Sequence, residues 1–363
     1  MTLSHIAGQF SFKGDCLDIE PFGNGHINDT FAVRCKTSGG VIRYILQRIN
    51  SHVFPRTREL MDNMVAVTRF VKEKIIADGG APERDCLNIV PTVDGNSYYV
   101  DDNGDYWRAT NFIEGTDAYL VADDSDMFTD AGRAFGKFIS SLEDFDASTL
   151  YEIIPNFHNT VSRYEALLAA EKADKLGRAE SVKEELEFAK SYSDLCSVIV
   201  GALADGEIPL RVTHNDTKLN NVLIDVETKK AVCVIDLDTV MPGSLLYDFG
   251  DAIRVGCSTA KEDEKDLTNV NFNIEMFEAF TKGFLLGLGK SVTAKERSLM
   301  PIAAVIMTYE CGMRFLTDYL DGDNYFKIAY PEHNLVRCRT QFKQARLMRG
   351  RLEEMNEIVK KYS

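Results

Sequence analysis

Positive charge is scarce in this sequence, which sets 41 lysines and arginines against 56 aspartates and glutamates in 363 residues. The net charge of −15 argues against a nucleic-acid-binding protein, because the surface of such a protein normally carries a basic stripe. An acidic chain that binds an anionic nucleotide needs local help from a metal ion, from helix N-termini and from a few lysines or arginines. We therefore expect no nucleic acid among the partners.

Secretory and membrane signals are also lacking. The N-terminal stretch MTLSHIAGQFSFKGD has no apolar segment of the secretory type, and the run MPIAAVIM is far shorter than the about 20 residues of a membrane span. The eight cysteines are scattered without a C-x-x-C pair, a pattern typical of reduced thiols. These absences predict a cytoplasmic protein without a membrane partner.

No proline- or serine-rich linker and no internal repeat divides the chain. Its first part alternates strand-like runs, such as RYILQRIN, with turn signals, such as Asp-Asn-Gly at 102–104, around one predicted helix from Pro55 to about Ile76. From about residue 125 onwards, apolar residues recur mostly at helical spacing. We predict an α+β fold of two lobes sharing a cleft: a small antiparallel β-sheet lobe (1–111), a hinge (112–116) and a larger, mainly helical lobe (117–363).

The stretch 211–238, RVTHNDTKLNNVLIDVETKKAVCVIDLD, carries most of the chemistry. The β-rich runs Val222–Val226 and Ala231–Ile235 are separated by the polar ETKK, which predicts a hairpin. A turn centred within ETKK would place Asn221 and Asp236 opposite each other at the hairpin mouth. An amide oxygen and a carboxylate that converge there suit a hard cation such as Mg²⁺.

Asp216 lies in the loop before the first of these strands, where its carboxylate could accept a proton from a hydroxyl group. The spacing H-x-D-x-x-x-x-N in HNDTKLNN resembles the catalytic loop of kinase-like enzymes, and IDLD resembles their metal-binding aspartate segment. A plain polar connection between strands would use the same residue types. The order and spacing of the two segments together favour the catalytic interpretation.

After IDLDTV the chain passes through MPGS directly into LYDFGDAIR, which leaves no room for a long activation segment. The chain therefore resembles the family of aminoglycoside phosphotransferases and choline kinases rather than the protein kinases. Asp248 is the first residue of a D-F-G tripeptide, the metal-binding motif of protein kinases. However, it follows a Pro-Gly turn and lies at the start of a predicted helix. We expect Asp248 and Asp251 to cap that helix or to brace the catalytic loop, and Asp236 to be the metal ligand.

The phrases GNGHIN, YILQRIN, ECGMRFLTDYL and YPEHNLVRCRTQ resemble the N-acetylhexosamine 1-kinase branch of this family, and the resemblance runs from about residue 8 to 345. It implies a bilobal protein-kinase-like fold. It also implies ATP- and Mg²⁺-dependent phosphorylation of the anomeric hydroxyl of N-acetylglucosamine or N-acetylgalactosamine. The alternative is a kinase of another small alcohol, such as choline, homoserine or an aminoglycoside. A pseudokinase is disfavoured because base and metal residues are present.

The resemblance implies further roles. Asp216 would orient the sugar hydroxyl and take its proton, and Lys218 would contact the transferring phosphoryl group unless it is only a solvated loop lysine. The glycine turn with Gly23 and Gly25 would cover the nucleotide phosphates, although a plain Gly-Asn hairpin turn has the same composition. The segment 111–114 would contact the adenine of ATP through backbone groups, with Asn111 and Ile113 as the candidate residues.

One strand position departs from the family pattern. Gln47 stands where a phosphate-pairing lysine is usual, and Arg48 follows it. Alternation along a strand places these two side chains on opposite faces, so only one of them can face the phosphates. Since a neutral glutamine cannot replace the charge of lysine, triphosphate anchoring would fall to Arg48 or to the metal.

Sugar recognition would come from residues far apart in the sequence. His26, Arg314 and Tyr325 match positions that the hexosamine kinases use for their sugar. Arg314 also has Glu310 and Asp318 at i−4 and i+4, so a helix salt-bridge ladder is the alternative for this arginine.

Overall fold

The computed structural model describes residues 2–23, 27–122 and 124–362. Internal contacts divide the chain into two compact units, each built from segments that are distant in sequence. Unit 1 comprises Met1–Ala118, Asp144–Ile154 and Val222–Met241, and unit 2 comprises Tyr119–Glu143, Pro155–Asn221 and Pro242–Ser363. Antiparallel sheets together with many helices confirm the predicted α+β class. The lobe and hinge boundaries drawn from the sequence stay a prediction.

An antiparallel sheet dominates unit 1, with strand order β1-β2-β3-β6-β4 and with β5 paired to β6. Its strands are β1 (Asp15–Pro21), β2 (Asp29–Thr37), β3 (Gly40–Ile49), β4 (Ile89–Val90), β5 (Tyr99–Val100) and β6 (Tyr106–Asn111). Strand β3 confirms the strand predicted from RYILQRIN. Gly104, with φ of +84°, lies in the turn of the predicted β5–β6 hairpin. Val33, Leu46 and Trp107 point from the sheet into a core that also includes Ile6.

The helices of unit 1 are α1 (Leu3–Ala7), α2 (Thr57–Ala77) and α3 (Pro82–Asp85). Helix α2 buries Leu60, Met64 and Val67, three of the apolar positions that predicted it. It begins later than predicted because Arg56, with φ −95° and ψ 50°, is its N-cap. Pro55 therefore precedes the helix instead of occupying its first turn.

A second antiparallel sheet of unit 1 has the strand order β10-β9-β7. Its strands are β7 (Thr116–Ala118), β9 (Val222–Asp225) and β10 (Ala231–Val234). The β9–β10 hairpin predicted from the sequence is confirmed. Its predicted register is wrong by one residue, because Val222 pairs with Val234 and not with Ile235.

The turn of this hairpin explains the difference in register. Oδ1 of Asp225 accepts the backbone N–H of Thr228 at 2.7 Å, which fixes the turn earlier in the chain than predicted. An irregularity between Ala231 and Cys233 adds a residue to β10 and restores only part of the offset. In the observed register, Asn221 and Asp236 are offset by one residue rather than directly opposite.

Helices dominate unit 2. They are α4 (Ser125–Ser141), α5 (Thr160–Ala173), α6 (Lys183–Ser191), α7 (Cys196–Ala204), α8 (Leu245–Gly256), α9 (Ile274–Leu288), α10 (Ala294–Asp321), α11 (His333–Arg349) and α12 (Leu352–Lys361), with the short strands β8 (Arg211–Thr213) and β11 (Met241–Gly243). A capping box between Thr293 and Glu296 starts α10. This helix is long and apolar enough to span a membrane, but 83% of its apolar window is buried inside the protein, as in a core helix.

Helices α4 and α9 approach each other closely through glycines. A Cβ atom at Gly283 would lie 1.8 Å from the carbonyl oxygen of Thr129, and one at Gly136 would lie 2.3 Å from the carbonyl oxygen of Phe284. Only glycine permits this contact between the two backbones. The contact fixes α4, whose Phe135 ring lies edge-on to the ring of His214 at a centroid distance of 5.5 Å. The α4–α9 pair thus supports the candidate catalytic loop through the contact between Phe135 and His214.

Candidate active site

The candidate catalytic loop of unit 2 follows strand β8 and is braced from α8. Asp248, whose exposed fraction is 0%, accepts the backbone N–H of His214 at 2.8 Å and that of Asn215 at 2.7 Å. Its own carbonyl oxygen accepts the hydroxyl of Thr217 at 2.5 Å. The expected bracing role of Asp248 is confirmed, whereas the capping role is not, because Ser244 is the N-cap of α8.

Burial raises the pKa of Asp248 to about 6, even though the charge of His214 and the two backbone N–H donors act in the opposite direction. A carboxylate that shares no contact with water cannot exchange ligands readily. Asp248 therefore holds the shape of the loop, and the residues that it aligns, from His214 to Thr217, include Asp216.

The carboxylate of Asp216 faces two donors from its own loop. Lys218 Nζ lies 2.5 Å from one oxygen, and Asn221 Nδ2 lies 3.1 Å from the other. Asn221 Nδ2 also donates to the carbonyl oxygen of Asp216 at 2.8 Å. The amide group of Asn221 is thereby oriented, and no donor to its Oδ1 is found among the described residues. Three of the predicted site residues thus converge in unit 2, with an amide oxygen left for a further ligand.

Lys218 also interacts with a second carboxylate, that of Asp251, which is itself paired with Arg254. Burial acts to lower the pKa of Lys218, but the carboxylates of Asp216 and Asp251 outweigh it and hold that pKa above the usual range. Asp251 in turn accepts Arg254 Nε at 2.8 Å. The pKa of Asp251 stays below its usual value, since Arg254 and Lys218 outweigh the effect of burial. Lys218 is therefore a permanent cation beside the candidate base.

In unit 1, Asp236 lies two residues after the end of strand β10 and is exposed, with left-handed φ and ψ of 61° and 57°. No group of three or more histidine, cysteine or acidic side chains able to hold a metal occurs in the described part of the chain. That result excludes a closed structural metal cage there. A single exposed carboxylate such as that of Asp236 is a ligand type that suits Mg²⁺, which usually keeps several waters and binds substrate phosphates.

Gln47 and Arg48 point to different faces of the unit 1 sheet. Gln47 Nε2 donates to Thr30 at 3.1 Å, and Gln47 Oε1 accepts Arg108 Nε at 3.0 Å. Arg48 is exposed and pairs with the surface carboxylates of Asp29 and Asp105. The predicted alternation is confirmed, and Gln47 is the residue that joins the buried polar network.

The predicted adenine segment offers one backbone donor. The side chain of Asn111 is already hydrogen-bonded within the protein, because its Oδ1 accepts the N–H of Asn88 at 2.7 Å and its Nδ2 donates to the carbonyl oxygen of Glu83. The carbonyl oxygen of Ile113 accepts the hydroxyl of Thr116 at 2.7 Å. For the N–H of Ile113, no acceptor is found within the described ranges. In the glycine turn, Gly23 has φ of +74°, which favours glycine, while Gly25 and His26 lie outside the described residues.

The helix salt-bridge ladder considered for Arg314 does not form. Glu310 instead receives His158 Nδ1 at 2.8 Å and the Thr160 hydroxyl at 2.6 Å. Asp318 accepts backbone N–H groups of the loop after α10, including that of Tyr325 at 2.8 Å. These contacts satisfy both carboxylates, so neither one pairs with the arginine.

The guanidinium of Arg314 lies instead among aromatic rings. Its Cζ is 5.1 Å from the centroid of the Phe157 ring, 5.8 Å from that of Tyr325 and 5.5 Å from that of Phe326. Such contacts hold the cation by the ring quadrupole and leave its N–H groups for other acceptors. A second arginine lies near: burial, and then the charge of Arg314, lower the pKa of Arg163.

The comparisons with known proteins fit this geometry. The profile of the phosphotransferase enzyme family matches residues 18–269. The chain belongs to that family. Among solved structures, an aminoglycoside phosphotransferase from Alicyclobacillus acidocaldarius has 14% identity and a TM-score of 0.63, with 99% of this chain and 97% of that chain covered.

Two further structures resemble this phosphotransferase. The ADP-bound aminoglycoside phosphotransferase APH(2'')-Ib has 13% identity and a TM-score of 0.55, with 95% of this chain and 97% of that chain covered. The choline kinase of Cryptosporidium parvum has 13% identity and a TM-score of 0.55, with 93% and 90% covered. These likenesses confirm the predicted bilobal, protein-kinase-like fold.

Sequence reasoning missed three polar residues of this phosphotransferase. Arg108 and Asp238 form a buried ion pair, and His158 bridges Glu310 and the carbonyl oxygen of Asn215 at 3.5 Å. A signal for Arg108 was available: it lies in the middle of the short strand YWRATN, where a charged side chain is seldom buried without a partner.

Proposed function

We propose that this phosphotransferase transfers the γ-phosphoryl group of ATP to the anomeric hydroxyl of an N-acetylhexosamine. The observation that carries the proposal is the carboxylate of Asp216, which both Lys218 and Asn221 contact within one braced loop. A carboxylate oriented in this way suits a general base for a hydroxyl acceptor. The family match supports phosphoryl transfer, and the resemblance to the hexosamine 1-kinases supports the acceptor.

In the proposed reaction, Asp216 takes the proton of the sugar hydroxyl as the new O–P bond forms. The bond between the γ-phosphorus and the β–γ bridging oxygen breaks, and ADP leaves with that electron pair. Lys218 stands beside Asp216 as a cation for the transferring phosphoryl group. Asn221 and Asp236 would hold Mg²⁺, which would neutralise charge on the phosphates when bound.

The nucleotide would bind through groups of unit 1. The turn with Gly23 and Gly25 would cover the phosphates, and the N–H of Ile113 is the donor that we assign to the adenine. Gln47 and Arg48 stay alternative candidates beside the phosphates, since only one of them can face the nucleotide, and Asn111 positions the segment through its own side-chain hydrogen bonds. The ADP bound to one of the similar structures supports a nucleotide co-substrate.

The charge of the acceptor region favours a neutral sugar over a cationic alcohol. Arg314 already occupies the faces of Phe157, Tyr325 and Phe326, where a choline site would need rings open to a quaternary ammonium. Choline or a polycationic aminoglycoside would be repelled by Arg314 and Arg163. Sugar hydroxyl and acetamide oxygens, in contrast, can accept from guanidinium N–H groups. We therefore assign Arg314 and Tyr325, together with His26, to the sugar.

The test is a panel of acceptors. The purified protein is incubated with ATP, Mg²⁺ and, separately, N-acetylglucosamine, N-acetylgalactosamine, unacetylated hexoses, choline, homoserine and an aminoglycoside. We expect ³¹P and ¹H NMR to locate the new phosphate at C1 of an N-acetylhexosamine. The variant Asp216→Asn, treated identically, is the background control. Turnover of choline, homoserine or the aminoglycoside without turnover of any sugar would contradict the proposal.

A further inference from the structure

A fully enclosed arginine lies in the middle of the unit 1 sheet. Arg108, only 2% exposed, forms an ion pair through Nη1 with Asp238, which is 3% exposed. Its Nε donates to Gln47 Oε1 at 3.0 Å, and Met64 Sδ lies 3.4 Å from Nη1. The charge of Arg108 is thus neutralised inside the protein. A cation in this state is not a direct substitute for the missing phosphate-pairing lysine.

Asp238 connects this arginine to the chain that follows the glycine turn. Its second oxygen accepts Asn28 Nδ2 at 2.6 Å. Asn28 Oδ1 accepts the backbone N–H of Asn50 at 3.0 Å, and Asn50 Nδ2 donates to the carbonyl oxygen of Ile27 at 3.1 Å. One buried carboxylate therefore joins β6, the end of β3 and the residues directly after the glycine turn.

The same carboxylate belongs to the turn that presents Asp236. Asp238 is the middle residue of the short 3₁₀ turn Leu237–Thr239, and Asp236 is the N-cap of that turn. Asp236 has φ of 61°, a left-handed conformation that is uncommon for a residue with a Cβ and that tertiary contacts help to hold. The ion pair two residues further on is such a constraint.

We infer that Arg108 and Asp238 are positioning residues for the metal and the nucleotide. Their ion pair holds the turn that carries Asp236 and the chain after the glycine turn in one arrangement, and so sets the affinity for the metal–nucleotide complex. The inference rests on the proposed function in that Asp236 is taken as a metal ligand and the glycine turn as the segment that covers the phosphates. We assign neither residue of the pair a direct contact with the metal or the nucleotide.

Stability alone does not explain such a pair. Replacing both members of a buried ion pair with apolar residues of similar volume often leaves a protein equally stable, whereas removing one member is strongly destabilising. Stability and ligand affinity can therefore be separated in the same residues. A purely structural pair would recover both properties in the double variant, and a positioning pair would recover only stability.

The experiment compares Arg108→Met, Asp238→Leu and the double variant. Binding of Mn²⁺, in place of Mg²⁺, is measured by EPR in the presence of ADP and without any acceptor, and the melting temperature is measured by CD. We expect both single variants to lose stability and to bind Mn²⁺–ADP about 10–100-fold more weakly, as when a partner of a metal ligand is removed. We expect the double variant to regain most of the melting temperature but not the affinity.

A matched control is available in the same sheet. Arg34 in β2 pairs with Asp18 at 3.0 Å, but on the surface. Arg34→Met should leave both the melting temperature and the Mn²⁺–ADP affinity close to wild type. Recovery of affinity in the Arg108→Met/Asp238→Leu double variant, or wild-type affinity in the single variants, would overturn the inference.

The variant Asn28→Ala provides a second test in case the Arg108 and Asp238 variants fail to fold. Asn28 is only partly buried, and this change removes a single side chain from the network. We expect weaker Mn²⁺–ADP binding with a nearly unchanged melting temperature, and unchanged binding would count against the inference. Asp236→Asn separates the two proposals, since wild-type affinity in that variant would reject the proposed metal site. The acceptor panel plays no part in either result.

Discussion

The clearest prediction concerns Asp248, whose carboxylate accepts two buried backbone N–H groups. In Asp248→Asn, the amide oxygen can accept one of them, while the NH₂ group faces the other donor. A buried donor left without a partner costs about 1–3 kcal/mol, so we expect the free energy of unfolding to fall by about that amount. Nucleotide–metal binding should survive, because the ligands assigned to the metal are unchanged.

The pH dependence of this effect has a definite sign. Burial raises the pKa of Asp248 from its usual 3.8 to about 6. The stabilising contribution of a raised pKa is fully present below the unfolded value and is lost as the pH rises through the folded value. Since each pKa unit corresponds to about 1.4 kcal/mol, wild type should lose about 2 kcal/mol from this group between pH 4 and pH 7. Asp248→Asn lacks the titration, so its disadvantage should be largest at pH 4 and smallest above pH 7.

The assay is urea unfolding followed by far-UV CD, which the helices of unit 2 dominate, at pH 4, 6 and 8. Mn²⁺–ADP binding by EPR is measured on the same samples. Asp236→Asn is the contrasting variant: this exposed residue should weaken binding and barely change stability. Loss of Mn²⁺–ADP binding with unchanged stability in Asp248→Asn would refute the argument, since Asp248 would then be the metal ligand.

Two further predictions concern the catalytic loop and the helices beneath it. Asp216→Asn should abolish phosphoryl transfer but keep Mn²⁺–ADP binding, because proton acceptance is lost while the assigned metal ligands remain; near-normal turnover by the NMR assay would remove Asp216 from the role of base. Gly283→Ala should lower the unfolding free energy by about 1–3 kcal/mol or more, since the added Cβ would meet the Thr129 carbonyl oxygen at 1.8 Å. Gly201→Ala in α7, where no atom lies within 4 Å of the added Cβ, is the control and should be neutral or slightly stabilising.

Local patterns in the sequence were sufficient for much of the fold. The β9–β10 hairpin, strand β3 and the helix that opens after Ser244 follow from periodicity and turn residues. The bracing role of Asp248 also followed, because a Pro-Gly turn before it ruled out the strand end that a metal ligand would occupy. The hairpin register did not follow, because the side chain of Asp225 decides where the turn begins.

Contacts between residues that are far apart in the sequence could not be predicted from it. Arg108 and Asp238 are separated by 130 positions, and nothing along the chain indicates that they meet. For Arg314, helical spacing correctly placed Glu310 and Asp318 nearby. Spacing could not show that His158, Thr160 and backbone N–H groups would take those carboxylates first. Proximity is a local property of a helix, but the choice of partner depends on the tertiary fold.

Four aspartates between 236 and 251 show how burial and partner together assign different roles to one side chain. Asp238 is neutralised by a guanidinium and holds a turn, and Asp251 is neutralised by Arg254 and supports the charge of Lys218. Within the described ranges, Asp248 has backbone N–H partners and no paired cation in a fully buried position, so its charge is the costliest of the four. Asp236 is the exposed one, and a carboxylate that exchanges water for a metal and its nucleotide must be reachable from solvent. Exposure, rather than the D-F-G motif, therefore supports the proposal that Asp236 is the metal ligand.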